Sequence, residues 1–131
     1  MTLSETERIE LIRHRKEKAY SLQKEALFLF DSEFYNTAVN RIYYGMYHIV
    51  SALALKDNFT TAKHLQLIGW FNREYVKTKK VDHLAGRYLM RAFEMRSKGD
   101  YDDFTQYTES EVKELLQNMN HLLDIISNLL Q

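Results

Sequence analysis

The sequence predicts an all-α protein, an up-and-down bundle of about five helices that forms one domain over residues 1–131. Three observations support this prediction. The chain has no proline and only four glycines, so the residues that most often interrupt a helix are scarce. Leu, Glu, Lys and Arg, which favour helices, are abundant. Apolar residues make up 45% and charged residues 27%, which is typical of a globular domain with one core.

The first two helices are predicted at about residues 4–30 and 35–55, with a turn at 31–33 between them. Ser4 and Glu7 have the spacing of a capping box, in which each side chain bonds the other residue's backbone N–H at a helix start. In the second helix, apolar residues recur at helical spacing and are expected to face the core. They are Ile42, Met46, Ile49, Val50 and Leu53.

Helices 3 and 4 are predicted at about residues 61–76 and 82–98. Gly99 is expected to end helix 4, because glycine commonly follows the last helical turn. Helix 5 opens at Thr108, where Glu111 completes a second capping box. Its apolar stripe is wide enough for core packing, a dimer seam or both. The stripe comprises Val112, Leu115, Leu116, Met119, Leu122, Leu123, Ile126, Leu129 and Leu130.

Charge and cysteine content limit the function classes. Lys plus Arg and Asp plus Glu each total 18, and this zero net charge argues against a general nucleic-acid coat. The absence of cysteine excludes disulfides, thiolate metal sites and cysteine nucleophiles. No apolar run approaches the roughly 18 residues of a membrane span, and the polar, acidic residues 1–7 are unlike a signal peptide. We therefore expect a cytoplasmic protein that does not enter a membrane.

Arg41 and His48 form the most informative pair in the chain. Seven helical steps of about 100° come to roughly 700°, so both side chains should leave one face about 10.5 Å apart along the axis. Tyr44 and Gly45 fall near the same face, and a glycine there suggests close approach by another backbone or by a substrate. A permanent cation and a group that titrates near neutrality could bind a phosphate and move a proton. The alternative is an ordinary polar stripe.

Other recognisable site patterns are missing from the sequence. No two histidines have the spacing of a zinc-binding HExxH pair, and the acidic residues 100–103 lack the glycine and glutamate of a calcium loop. There is no phosphate-binding glycine loop and no GxSxG elbow. Ser51 is expected to be a helix-surface or backbone-bonded serine. We therefore predict no metal site and no cofactor.

Three segments, in order, carry motifs of a known family. Residues 41–48 read Arg-Ile-Tyr-Tyr-Gly-Met-Tyr-His, matching Arg-x-Tyr-Tyr-x-x-Phe-His. Lys63-His64 and residues 71–78 resemble Lys-Thr-His-Ser-Gly followed by Phe-x-x-x-Phe-Val-Lys-x-Gly, with Leu65-Gln66 in place of Ser-Gly and Lys79 in place of the last Gly. Residues 96–101 match Arg-x-x-x-Asp-Tyr. Together they resemble the small single-domain prokaryotic proteins of the HEPN-domain family.

The resemblance implies a homodimer whose two Arg-x6-His stripes face a shared cleft. It implies that this protein is a toxin, a metal-independent endoribonuclease that cleaves RNA. The partner of the toxin would be a minimal nucleotidyltransferase antitoxin. His48 would act as general base or acid, Arg41 would hold the phosphate, and Tyr44 would orient the phosphate or stack a base. The partner would attach AMP to a tyrosine, with Tyr43, Tyr44 and Tyr47 as open candidates.

Two further interpretations stay open at this point. The domain could be a non-catalytic binding module beside a nucleotidyltransferase, or a helical dimer whose Arg–His stripe only stabilises the interface. Intact Arg41 and His48 favour the enzyme, whereas the neutral net charge favours the binding module. In the third motif, Arg96 or Asp100 could line the cleft. The preferred interpretation is structural, with Asp100 bonded to loop backbone or paired with Arg96.

Overall fold

The computed structural model describes residues 2–131, and within them it contains five α-helices, one π-helical turn and no β-strand. The elements are α1 (Glu5–Asp31), α2 (Tyr35–Lys56), α3 (His64–Phe71), the π-helical turn (Asn72–Val76), α4 (His83–Tyr101) and α5 (Glu109–Leu130). The predicted all-α class is confirmed. No helix in this part of the chain combines the length and apolarity that crossing a membrane requires.

Both predicted capping boxes form. The Ser4 hydroxyl accepts from the Glu7 N–H at 3.1 Å while Glu7 accepts from the Ser4 N–H at 3.0 Å. Thr108 and Glu111 make the same reciprocal pair at the start of α5. These bonds satisfy backbone N–H groups that have no partner inside the helix.

The boundaries of two helices differ from the prediction. The α3 helix begins at His64 rather than near Thr61, because the Thr61 hydroxyl accepts from the Lys63 N–H and so holds a turn there. Gly99 does not end α4, which continues to Tyr101. No glycine in the described part of the chain has a positive φ, and the Asp102 N–H still donates to the Lys98 carbonyl at 2.9 Å. Gly99 is therefore an ordinary helical residue without a side chain.

The core surrounds α2, which packs against α1, α4 and α5. Its predicted core residues, Ile42, Met46, Ile49, Val50 and Leu53, are all fully buried. Seven residues of the α5 stripe, Val112 to Ile126, are buried within this one chain, whereas Leu129 and Leu130 are partly buried. The stripe therefore serves core packing, and α2 presents its remaining polar side beside α1 and α4.

Candidate functional site

Arg41 lies on the half-exposed side of α2 that faces α1. Its Nε donates to Glu25 Oε1 at 2.6 Å, and its Nη1 donates to Asn40 Oδ1 at 2.7 Å. The side chain is 35% exposed. Its Nη2 makes no hydrogen bond with any residue in 2–131, so this end of the guanidinium is oriented and still able to bind an anion.

His48 lies two turns further along the same side, in a positively charged setting. Burial first, and then the charges of Lys18, Arg15 and His14 on α1, lower the pKa of His48 to about 4. The imidazole is therefore neutral near pH 7 and has a nitrogen that can accept a proton. The structure places both Arg41 and His48 on the half-exposed α1 side of α2.

Gly45 does not belong to this exposed stripe, contrary to the prediction from spacing. A Cβ atom on Gly45 would overlap Met119 Cε and would lie 3.5 Å from the Ala19 carbonyl oxygen. The close approach that the glycine permits is therefore by α5 and α1 in the core, and not by a substrate. Ser51 also differs from expectation, because it is only 5% exposed and its hydroxyl accepts from Arg15.

Tyr44 lies on the α4 side of the stripe, beside Arg96. Arg96 Nη2 donates to the Tyr44 hydroxyl at 2.9 Å, and its guanidinium carbon lies 5.1 Å from the Tyr44 ring centroid. Arg96 Nε is 2.9 Å from Asp100 Oδ2, an ion-pair distance, although its N–H is not aligned for a hydrogen bond. Of the two structural alternatives, the structure has the Arg96–Asp100 pair, and both residues also line a pocket with Arg41.

A cluster of aromatic rings surrounds His64, which the sequence indicated only through the second motif. Tyr43 is 1% exposed, and its hydroxyl shares a hydrogen bond with His64 Nδ1. The His64 ring stacks on Tyr47 with centroids 4.8 Å apart. Burial raises the pKa of Tyr43 well above its usual range and, with the Arg96 charge, lowers the pKa of His64. Tyr43 is inaccessible, whereas Tyr44 and Tyr47 are half-exposed.

Comparison with known proteins identifies the family of this chain. The family model described as HEPN domain matches residues 12–129. The chain belongs to the HEPN-domain family. It is 35% identical over 125 residues to a UPF0332 protein of Thermotoga maritima, covering 95% of each chain. Two Methanocaldococcus jannaschii proteins, each bearing the name "putative toxin", are 35% and 29% identical; the match covers 76% and 81% of this chain and 68% and 78% of theirs.

The residues that sequence reasoning missed in this HEPN domain are those that come from α1. Glu25 orients Arg41, while Arg15 and Lys18 act on His48. Arg15, Lys18 and Glu25 all lie outside the three motifs. Antiparallel packing of α1 on α2 brings them to the stripe, and no local sequence signal specifies that contact.

Within residues 2–131 no group of three or more His, Asp or Glu side chains is placed to hold a metal ion.

The lowered pKa of His48 predicts that the HEPN domain is less stable in acid. The unfolded chain, with an ordinary His pKa of 6.5, binds more protons than the folded chain between that pH and about 4. Stability is therefore complete above pH 6.5 and falls as the pH drops toward 4. We expect a loss of roughly 1–3 kcal/mol in the free energy of unfolding from this group.

Urea unfolding at pH 7.5 and pH 4.5 measures this loss in the wild type and in His48→Gln. His64 acts in the same direction because its pKa is also lowered, so the difference between the two proteins isolates His48. An equal loss of stability in both proteins would contradict the prediction.

Proposed function

We propose that this HEPN protein is a metal-independent endoribonuclease and the toxin of a toxin–antitoxin pair. The observation that carries the proposal is the pairing, on one half-exposed stripe, of a neutral His48 with an Arg41 that has a free guanidinium end. The relatives named as toxins support the toxin class. The endoribonuclease activity and the RNA substrate are what the family resemblance implies, and the chemistry of these two side chains is suited to them.

In the proposed reaction, the 2′-hydroxyl of RNA attacks the adjacent phosphorus. His48 takes the hydroxyl proton as the new O–P bond forms, because a neutral imidazole can act as a general base. Arg41 binds the non-bridging oxygens and stabilises the charge of the pentavalent transition state. The P–O5′ bond then breaks, leaving a 2′,3′-cyclic phosphate and a 5′-hydroxyl that has gained a proton.

A homodimer supplies the groups that one chain lacks. Because Arg41 and His48 of one chain are about 10.5 Å apart along the helix axis, they are too far apart for both to contact one phosphate closely. Two facing stripes would place two arginines and two histidines around it. One neutral His48 then removes the 2′-hydroxyl proton, and the leaving 5′-oxygen takes its proton from water. HEPN domains are often homodimers, and the half-exposed stripe is the surface we assign to the shared cleft.

Cleavage of a mixed RNA pool in the presence of EDTA tests the proposal. We expect fragments with cyclic-phosphate ends from the wild type, and none from a double variant, Arg41→Ala with His48→Ala, purified identically. The double variant controls for contaminating ribonucleases. A folded wild-type dimer that leaves RNA intact, and whose intact mass shows no modification, would contradict the proposal and favour the non-catalytic binding module.

We further propose that a minimal nucleotidyltransferase antitoxin silences the toxin by attaching AMP to Tyr47. Tyr43 is buried and bonded to His64, and the Tyr44 hydroxyl is held by Arg96. The Tyr47 hydroxyl makes no hydrogen bond with any residue in 2–131, and its ring lies 5.5 Å from the His48 ring. A modification there would block the proposed base.

Co-expression with such a partner should add one AMP mass, which tandem mass spectrometry would place on Tyr47. The Tyr47→Phe variant should stay unmodified while Tyr44→Phe is still modified. Modification that persists in Tyr47→Phe would refute the choice of this tyrosine.

A further inference from the structure

A pocket of about 300 Å³ lies beside Arg41, between the first half of α2 and the last turns of α4. Arg41 forms part of its wall, but His48 does not line it. Its volume is at the lower end of the range for small-molecule sites. The pocket therefore extends the Arg41–His48 stripe on the arginine side, in a place that the cleavage chemistry does not use.

The floor of this pocket is apolar and is kept open by a missing side chain. Val39 and Met95 are almost fully buried, at 1% and 4% exposure. The Tyr107 hydroxyl donates to the Met95 carbonyl at 2.6 Å, which holds the Tyr107 ring in place. A Cβ atom on Gly99 would already lie 3.4 Å from Tyr107 Cε2, so a larger side chain there would occupy the pocket.

The rim of the pocket is polar, and not all of its hydrogen-bonding groups have a partner within residues 2–131. Asn40 Oδ1 accepts from Arg41, but the Asn40 amide nitrogen makes no hydrogen bond with any residue in 2–131. Thr37 is exposed, and Asp100 is 40% exposed while paired with Arg96. The rim thus offers an amide donor, a hydroxyl and a carboxylate above an apolar floor, beside a guanidinium.

We propose that this pocket binds the base of the nucleotide next to the phosphate that Arg41 holds. A base has an apolar face and polar edges, which correspond to the floor and rim, and proteins read single-stranded RNA through both features. The inference rests on the proposed function only in taking Arg41 as the phosphate ligand. Free nucleoside monophosphates share this chemistry, so they serve as probes whether or not the protein cleaves RNA.

Isothermal titration of the full-length protein in EDTA, with the four ribonucleoside 3′-monophosphates and with inorganic phosphate, tests the pocket. We expect at least one nucleotide to bind about 10-fold or more tightly than phosphate. Gly99→Leu should remove this advantage and leave phosphate binding unchanged. The matched control is Gly69→Leu, since a Cβ at Gly69 meets nothing within 4 Å.

A second variant approaches the pocket from the opposite wall. Thr37→Trp changes an exposed position on α2, so it should fill the pocket without disturbing the core. The proposal is overturned if no nucleotide binds more tightly than phosphate, or if both folded variants retain the wild-type advantage. Nucleotide binding lost in both variants, from a wild type that does not cleave RNA, would uphold the pocket while the ribonuclease proposal fails.

Discussion

His48→Ala is expected to lower the rate of RNA cleavage by about 10²–10⁴-fold, the usual contribution of a positioned acid–base group. The variant removes the nitrogen that would accept the 2′-hydroxyl proton, and in a homodimer it removes both copies at once. The side chain is half-buried and neutral at pH 7, so its loss leaves no buried charge unpaired. The folded state should therefore survive the change.

Single-turnover cleavage of a defined RNA oligonucleotide at pH 7.5 measures this effect. His83→Ala is the matched control, because His83 is 71% exposed and lies outside the stripe. Circular dichroism and urea unfolding should show that both variants are folded. A His48→Ala protein that cleaves within a few-fold of the wild-type rate would remove His48 from the mechanism.

Arg41→Ala is expected to slow cleavage by about 10²–10³-fold. This is the usual effect of removing one group that stabilises charge in the transition state. Arg41→Lys keeps the positive charge but lacks the planar guanidinium. That group can bind two phosphate oxygens, and it donates hydrogen bonds to Glu25 and Asn40. We expect the lysine variant to be intermediate. Arg73→Ala is the matched control, since Arg73 is 62% exposed and its one ion pair within residues 2–131 is with its neighbour Glu74.

The same oligonucleotide assay, run over a range of substrate concentrations, separates binding from chemistry. A group that acts mainly in the transition state lowers kcat and kcat/KM together, whereas one that only binds the ground state raises KM. We expect the first pattern for Arg41→Ala. A change confined to KM would reduce Arg41 to a binding residue, and wild-type kinetics would remove it from the site.

Local sequence patterns were sufficient to predict the five helices and the starts of α1 and α5. The capping boxes at Ser4 and Thr108 form because each needs only residues three apart. Gly99 shows where such patterns fail. The sequence predicts that this glycine ends helix 4, but the backbone of α4 continues for two more residues in helical conformation. The absent side chain instead leaves space beside Tyr107 for the pocket.

The sequence likewise predicted only part of the candidate site. Helical spacing alone brings Arg41 and His48 to one side of α2, but spacing also put Gly45 there, and packing against Met119 and Ala19 shows that it faces the core. Periodicity gives an angle around one helix. It does not show which side chains at that angle are buried by the neighbouring helices.

The amino-acid sequence by itself determined the all-α class, the membership in the HEPN family, and the positions of Arg41 and His48 on one helix. The tertiary structure decided their chemical state. Contacts with α1 orient Arg41 through Glu25 and lower the pKa of His48 through burial and nearby cations. The physical reason is that helix periodicity is a local property of the chain, whereas desolvation and electrostatic coupling depend on residues that only the packing of separate helices brings together.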